Sequence, residues 1–261
     1  MIWTILFCVR GRGFYEVNRD HEIVWSLADL RASHDIDPLE NGNLLVTYTW
    51  AKKGGVLAAE ITRDGTPVWT FDGLSLFSDS KYDGFQDEIG AWAHVNGAER
   101  LSSGHTVLTV RNFNALVEVS EVGEVVDIFW LDAQKSKTTL GSKGLLRGGR
   151  PHGATRKPNE DHLTVITRSP HRAVEYDLLE NRVLRAWWGL DLRGAQRKVR
   201  DVVPLPNEHW LMRSPSTLFE LDANNRMVWQ YSPPLDPSDE RDSIPLFKAM
   251  FRAPEGIVYG N

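Results

Sequence analysis

Three histidines open phrases of one shape. They are "HDIDPLENGNLLVTYT" from His34, "HVNGAERLSSGHTVLTVRN" from His94 and "HGATRKPNEDHLTVITRSP" from His152. Two further phrases put a cation in the same place: "RDVVPLPNEHWLMRSP" from Arg200 and "KAMFRAPEGIVYG" from Lys248. Later in the phrases, Arg111, Arg168 and Arg213 fall in similar register. A neutral imidazole can attack an electrophile, move a proton or hold a metal ion. Fixed cations stabilise charge that develops on oxygen. The types therefore point to chemistry on an anion, provided the fold gathers them.

The elements that would gather them are strands. Each phrase reads as a strand, a polar turn and a second strand. A further hairpin follows in "ITRDGTPVW", "VSEVGEVVDIFW", "YDLLENRVLRAWW" and "LDANNRMVW". Their turn residues tolerate the left-handed backbone that hairpins need. The closing tryptophans, Trp25, Trp69, Trp130, Trp188 and Trp229, set a degenerate repeat of about 40–60 residues, the period of propeller blades. The half-repeat at Lys248 lacks its second half, which "ILFCVRGRGFYEVNRDHEIVW" supplies from the other end of the chain. The expectation is an all-β fold: residues 1–261 as one propeller of about five four-stranded blades (six being the alternative count), closed by pairing of the two terminal strands.

Composition bounds the function. The chain has 261 residues, a net charge of −5 and one cysteine, Cys8. The charge gives no reason to expect nucleic acid or an anionic membrane as partner. One cysteine excludes an internal disulfide framework and a cysteine-rich zinc module. The apolar opening "MIWTILFCV" is about half a membrane span and carries no secretory pattern, so a cytoplasmic location is expected. No Gly-x-Ser-x-Gly and no phosphate loop is present.

In a propeller the first strand of each blade lines the central channel, so the five repeat positions converge on one mouth. Two insertions, 70–93 and 131–151, would lie on that face as lids. The first offers Tyr82, Phe85 and Trp92 to an aromatic substrate. Three imidazoles could instead hold a divalent metal, but Arg200 and Lys248 would repel it, so no metal is expected. Asp35 and Asp201, one residue past the ring position, should turn toward the blade and serve structure. His105, His162 and His209 fall in hairpin tips and read as solvated turn residues.

The phrases "HDIDPLENGNLL" and "EVSEVGEVVDIFW", alternating over nearly the whole chain, resemble the arylsulfotransferase family of propellers. The resemblance implies transfer of a sulfuryl group from an aryl sulfate to a phenol through a sulfo-histidine, with no nucleotide or other cofactor. It implies His152 as nucleophile, His94 and Arg111 as a sulfate-binding pair, and His34 as the remaining channel histidine. Arg168, Arg200, Arg213, Lys248, Tyr82, Phe85 and Trp92 would then bind substrate. Family enzymes are usually longer and exported, and commonly have six blades. The alternative is a non-catalytic propeller that binds a small anion or a protein partner.

Overall fold

The computed structural model describes residues 4–9, 11–18, 22–74, 91–131, 149–156, 159–169, 171–180, 182–188, 199–205, 207–214, 217–231 and 247–252. Its strands form five antiparallel four-stranded sheets. The first blade holds β1 (Thr4–Val9), β2 (Gly13–Asn18) and β3 (Ile23–Ala28). The second holds β4 (Ile36–Pro38), β5 (Leu44–Thr47), β6 (Ala58–Ile61) and β7 (Pro67–Phe71). The third holds β8 (Val95–Arg100), β9 (Thr106–Val110), β10 (Ala115–Val119) and β11 (Val125–Trp130). The fourth holds β12 (Gly149–Thr155), β13 (His162–Ser169), β14 (His171–Asp177) and β15 (Arg182–Trp188). The fifth holds β16 (Asp201–Pro204), β17 (Trp210–Ser214), β18 (Thr217–Leu221) and β19 (Met227–Tyr231). The last strand, β20 (Phe247–Arg252), returns to pair with β1 and completes the first blade, with Thr4 opposite Arg252. The fold is a five-bladed propeller closed by its terminal strands, and the count of five holds over six. Among the described residues no helix is long and apolar enough to cross a membrane.

The inner strands of the blades are buried on both faces, as in β5, β6 and β9, so burial comes from stacking blade on blade. One cluster joins Leu6, Cys8 and Phe14 of the first blade to Ile36, Leu44 and Val46 of the second. Others join the second and third blades around Leu45, Trp92 and Phe113, the third and fourth around Leu116 and Leu163, and the fourth and fifth around Ile166, Trp187 and Trp210. The outer hairpins turn through Gly65, Gly123 and Asn225, all at positive φ, as their sequence requires.

The tryptophan repeat is in register in only part of the ring. Trp25, Trp69 and Trp229 lie opposite Glu16, Glu60 and Glu220. In the third and fourth blades that place belongs to Asp127 and Arg185, so Trp130 and Trp188 stand three residues further on. The position common to all five blades is the third-strand glutamate: Glu16, Glu60, Glu118, Glu175 and Glu220. Its phrases are "FYEVN", "AAEIT", "LVEVS", "AVEYD" and "LFELD". These carboxylates tie hairpins and blades together. Arg63 reaches Glu16 at 2.5 Å, Arg100 reaches Glu60 at 2.9 Å and Arg156 reaches Glu118 at 2.9 Å, each from the next blade. His105, His162 and His209 are not merely solvated turn residues. Their Nδ1 atoms lie 2.8, 3.1 and 2.5 Å from Glu118, Glu175 and Glu220.

Glu60 shows the balance of forces in this belt. Burial works against its charge, yet the amides of Asn43 and Asn41 and the Arg100 guanidinium outweigh that and hold its carboxyl below the usual range. A carboxyl depressed in the folded state stabilises fully above its unfolded value of about 4.3, and that contribution fades as pH falls through the folded value. Glu60→Gln should therefore cost about 1–2 kcal/mol at pH 7. The gap to wild type should close in urea titrations carried below pH 4.

Candidate functional site

The innermost strands bring the three sequence-selected histidines together. His34 precedes β4, His94 precedes β8 and His152 lies in β12. All three are buried. The ring of His34 is 5.4 Å from that of His94 and 5.4 Å from that of His152, with Trp50 at 5.3 Å on His34. Trp50 was not anticipated from sequence. It follows directly on the phrase "VTYT", where β5 leaves the sheet at the channel mouth.

Each histidine is oriented by a different device. His152 Nδ1 is 2.7 Å from the carbonyl oxygen of Arg200. A carbonyl only accepts, so Nδ1 carries the proton, and in the neutral ring the lone pair sits on Nε2. This is the contribution of Arg200 that the geometry displays: its main chain, from the next blade, aims an imidazole. His94 meets Arg111, whose guanidinium nitrogen Nη1 lies 2.8 Å from Nε2 and 3.3 Å from Nδ1. Guanidinium only donates, so the nearer nitrogen, Nε2, accepts and His94 is neutral. The expected pairing of His94 with Arg111 is present. His34 Nδ1 lies 3.0 Å from the Thr49 hydroxyl.

His94 sits in the left-handed region, with φ of 54°. Such backbone in a non-glycine residue costs about 1–3 kcal/mol and must be held from outside. A 3-10 turn at Arg111–Phe113 does the holding. The Asn112 side-chain amide donates to the carbonyls of Ala91 and Trp92, and its backbone N–H donates to Ala93. Trp92, expected at the substrate, packs instead in the core with its ring edge-on to Phe113 at 5.6 Å, with Lys53 above it at 5.8 Å.

The two ring-following aspartates serve the scaffold, as expected. Asp35 Oδ2 accepts from the Ala98 amide of the third blade at 2.6 Å. Asp201 lies against Gly153, where a Cβ would come within 1.9 Å of its Oδ1. Gly153 also has φ of 56°, so both space and backbone demand glycine beside His152.

Other expected site residues are placed less fully. Tyr82, Phe85 and most of both insertions (75–90 and 132–148) lie outside the described residues. Arg168 and Arg213 lie near the ends of β13 and β17 and Lys248 near the start of β20, but their side chains lie outside the described part. Among the described residues, no three His, Cys, Asp or Glu side chains converge as a metal ion would require.

No family model and no curated protein matches the chain. Solved structures do match in shape. A protein of unknown function from Bacteroides caccae superposes with a TM-score of 0.59 at 18% identity, over 94% of this chain and 81% of that one. Virginiamycin B lyase from Staphylococcus aureus superposes with a TM-score of 0.48 at 13% identity, over 87% of this chain and 64% of the lyase. At these identities the likeness concerns the fold and not the activity.

Removing Asp35 should isolate its scaffold role. Asp35→Ala leaves the buried Ala98 amide without its acceptor and should destabilise by about 1–3 kcal/mol. The change should appear as a lower denaturant midpoint at unchanged m-value.

Proposed function

We propose that the protein transfers a sulfuryl group from an aryl sulfate to a phenol through a sulfo-histidine on His152. The observation that carries this reading is the pair of unlike histidine anchors. Arg200 O fixes the proton of His152 on Nδ1, which leaves Nε2 as the nucleophilic nitrogen. Nε2 of His94 is engaged by Arg111, which suits that pair to binding oxyanions rather than to attack. The alternation of phrases over the chain supports the same assignment.

In the first half-reaction Nε2 of His152 attacks sulfur, the N–S bond forms and the S–O bond to the aryl group breaks. The electron pair leaves with the phenolate oxygen. The imidazole becomes cationic as it is sulfated, and the Nδ1–H bond to the Arg200 carbonyl strengthens in step. His34, entering the step as the imidazolium, gives its Nε2 proton to the departing phenolate and keeps the proton on Nδ1. In the second half-reaction the acceptor phenol returns a proton to His34 as its oxygen takes the sulfuryl group and the N–S bond breaks. Arg111 offsets charge on the sulfuryl oxygens, a role worth about 10²–10³ in rate for one well-aimed donor.

The test is release of nitrophenolate from 4-nitrophenyl sulfate in the presence of a phenol, with intact mass read on a quenched sample. Wild type should release nitrophenolate in an acceptor-dependent manner and carry one added sulfuryl group. His152→Asn should lose both, by about a thousand-fold or more in rate. Loss of the adduct in His94→Asn alone would move the nucleophile to His94. A folded wild type that binds aryl sulfates without release or adduct would establish the alternative, a silent anion-binding propeller.

A further inference from the structure

Thr49 is fully buried where β5 leaves the second blade. Its hydroxyl has one proton and three oxygen or nitrogen neighbours. The Val95 carbonyl of the third blade is 2.6 Å away, Ser33 Oγ is 2.8 Å away and His34 Nδ1 is 3.0 Å away. The carbonyl has no proton to offer and is the nearest, so the Thr49 proton goes there. The hydroxyl can then meet His34 only as an acceptor. Ser33 fixes the arrangement from behind, since its Oγ accepts the Thr49 backbone N–H at 2.9 Å.

We infer that Thr49 is the positioning residue of His34: its hydroxyl, committed to the Val95 carbonyl, keeps Nδ1 of His34 protonated and leaves Nε2, at the tip of the ring, as the nitrogen that exchanges protons. The inference holds whether His34 is neutral or charged, because Nδ1 carries a proton in both states. It stands on the hydrogen-bond geometry alone. Only its catalytic consequence rests on the sulfuryl-transfer reading, in which Nε2 of His34 serves the two phenol oxygens.

The experiment is long-range proton–nitrogen correlation on the 15N-labelled full chain, with the His34 signals assigned by their loss in His34→Gln. Wild type should show a protonated Nδ1 at both ends of a pH titration, with only Nε2 changing state. Thr49→Val keeps the shape but removes the acceptor. It should move neutral His34 toward the Nε2–H form, and Thr49→Ser should restore the wild-type pattern. If wild type turns over aryl sulfate, Thr49→Val should lower kcat by about 10–100-fold with KM little changed, the range for residues that orient a reacting group. A wild-type His34 already in the Nε2–H form would overturn the inference, as would a folded Thr49→Val that keeps Nδ1 protonated. Should Thr49→Val not fold, the wild-type and Thr49→Ser spectra still decide the point. A wild type with the expected tautomer and no turnover would uphold the inference and reject the transferase reading.

Discussion

Polar side chains near the axis bond to the main chain or side chains of the neighbouring blade, and the rest of the site depends on this seam. Thr49 reaches Val95, and Asp35 reaches Ala98, across the second and third blades. The Asn96 amide donates to the Pro151 carbonyl, and Thr155 and the Arg156 amide both donate to Glu99, across the third and fourth. His152 donates to Arg200 across the fourth and fifth. Apolar stacking sets blades roughly face to face, but it is non-directional and tolerates sliding. Hydrogen bonds of 2.5–3.2 Å do not. The seam therefore converts loosely specified packing into fixed angles between wedges. Those angles bring imidazoles from three separate sheets into contact.

The same economy explains the tautomers. A hydroxyl, a carbonyl and a guanidinium have nothing chemically in common, yet each leaves its histidine with Nδ1 protonated. Two of the three anchors are supplied or completed by main-chain carbonyls from the next blade. A main-chain carbonyl does not ionise, and these two lie in the first residue of β8 or just before β16. Preorganised groups of this kind contribute without rearranging when charge develops. The third anchor, Arg111, leaves the end of β9 through the 3-10 turn that also holds His94 in its left-handed backbone. Orientation of the ring and strain of the backbone thus share one support.

Much of the fold was legible because propeller blades repeat. Strand, turn and strand recur around turn residues such as Asn41-Gly42, Asp64-Gly65, Val122-Gly123 and Asn224-Asn225. The orphan half-repeat at Lys248 forces closure with the first strands. The convergence of His34, His94 and His152 followed from that register, whereas the pairing of His94 with Arg111 was implied only by the family resemblance. Tryptophan was a poorer ruler than it looked. On an outer strand a large aromatic is favoured at several positions, so the tryptophan of the third and fourth blades falls three residues from its place in the others. Glutamate at the third strand could not drift, since it answers a histidine, an arginine or a pair of asparagines at a fixed distance. The Thr49 relay left no sequence signal. A threonine in a β-strand phrase is ordinary, and only the approach of Val95 from another blade gives its hydroxyl a direction. Trp92 misled for a related reason: it ends an insertion rich in aromatics, but the Asn112 hooks draw that end into the core.

The terminal pairing of β1 with β20 has a consequence for how the molecule is made. Thr4 finds its partner at Arg252, so β1 is synthesised long before the strand that completes its sheet. Until then the first blade exposes an open edge, and edges of that kind recruit foreign strands. The remaining four blades are each continuous in sequence and can form as they emerge. Closing the ring is a contact of very high sequence separation, of the sort that slows folding. Capture by another chain at that edge therefore competes with closure in time, and slow closure favours exchange of the last strand between two copies.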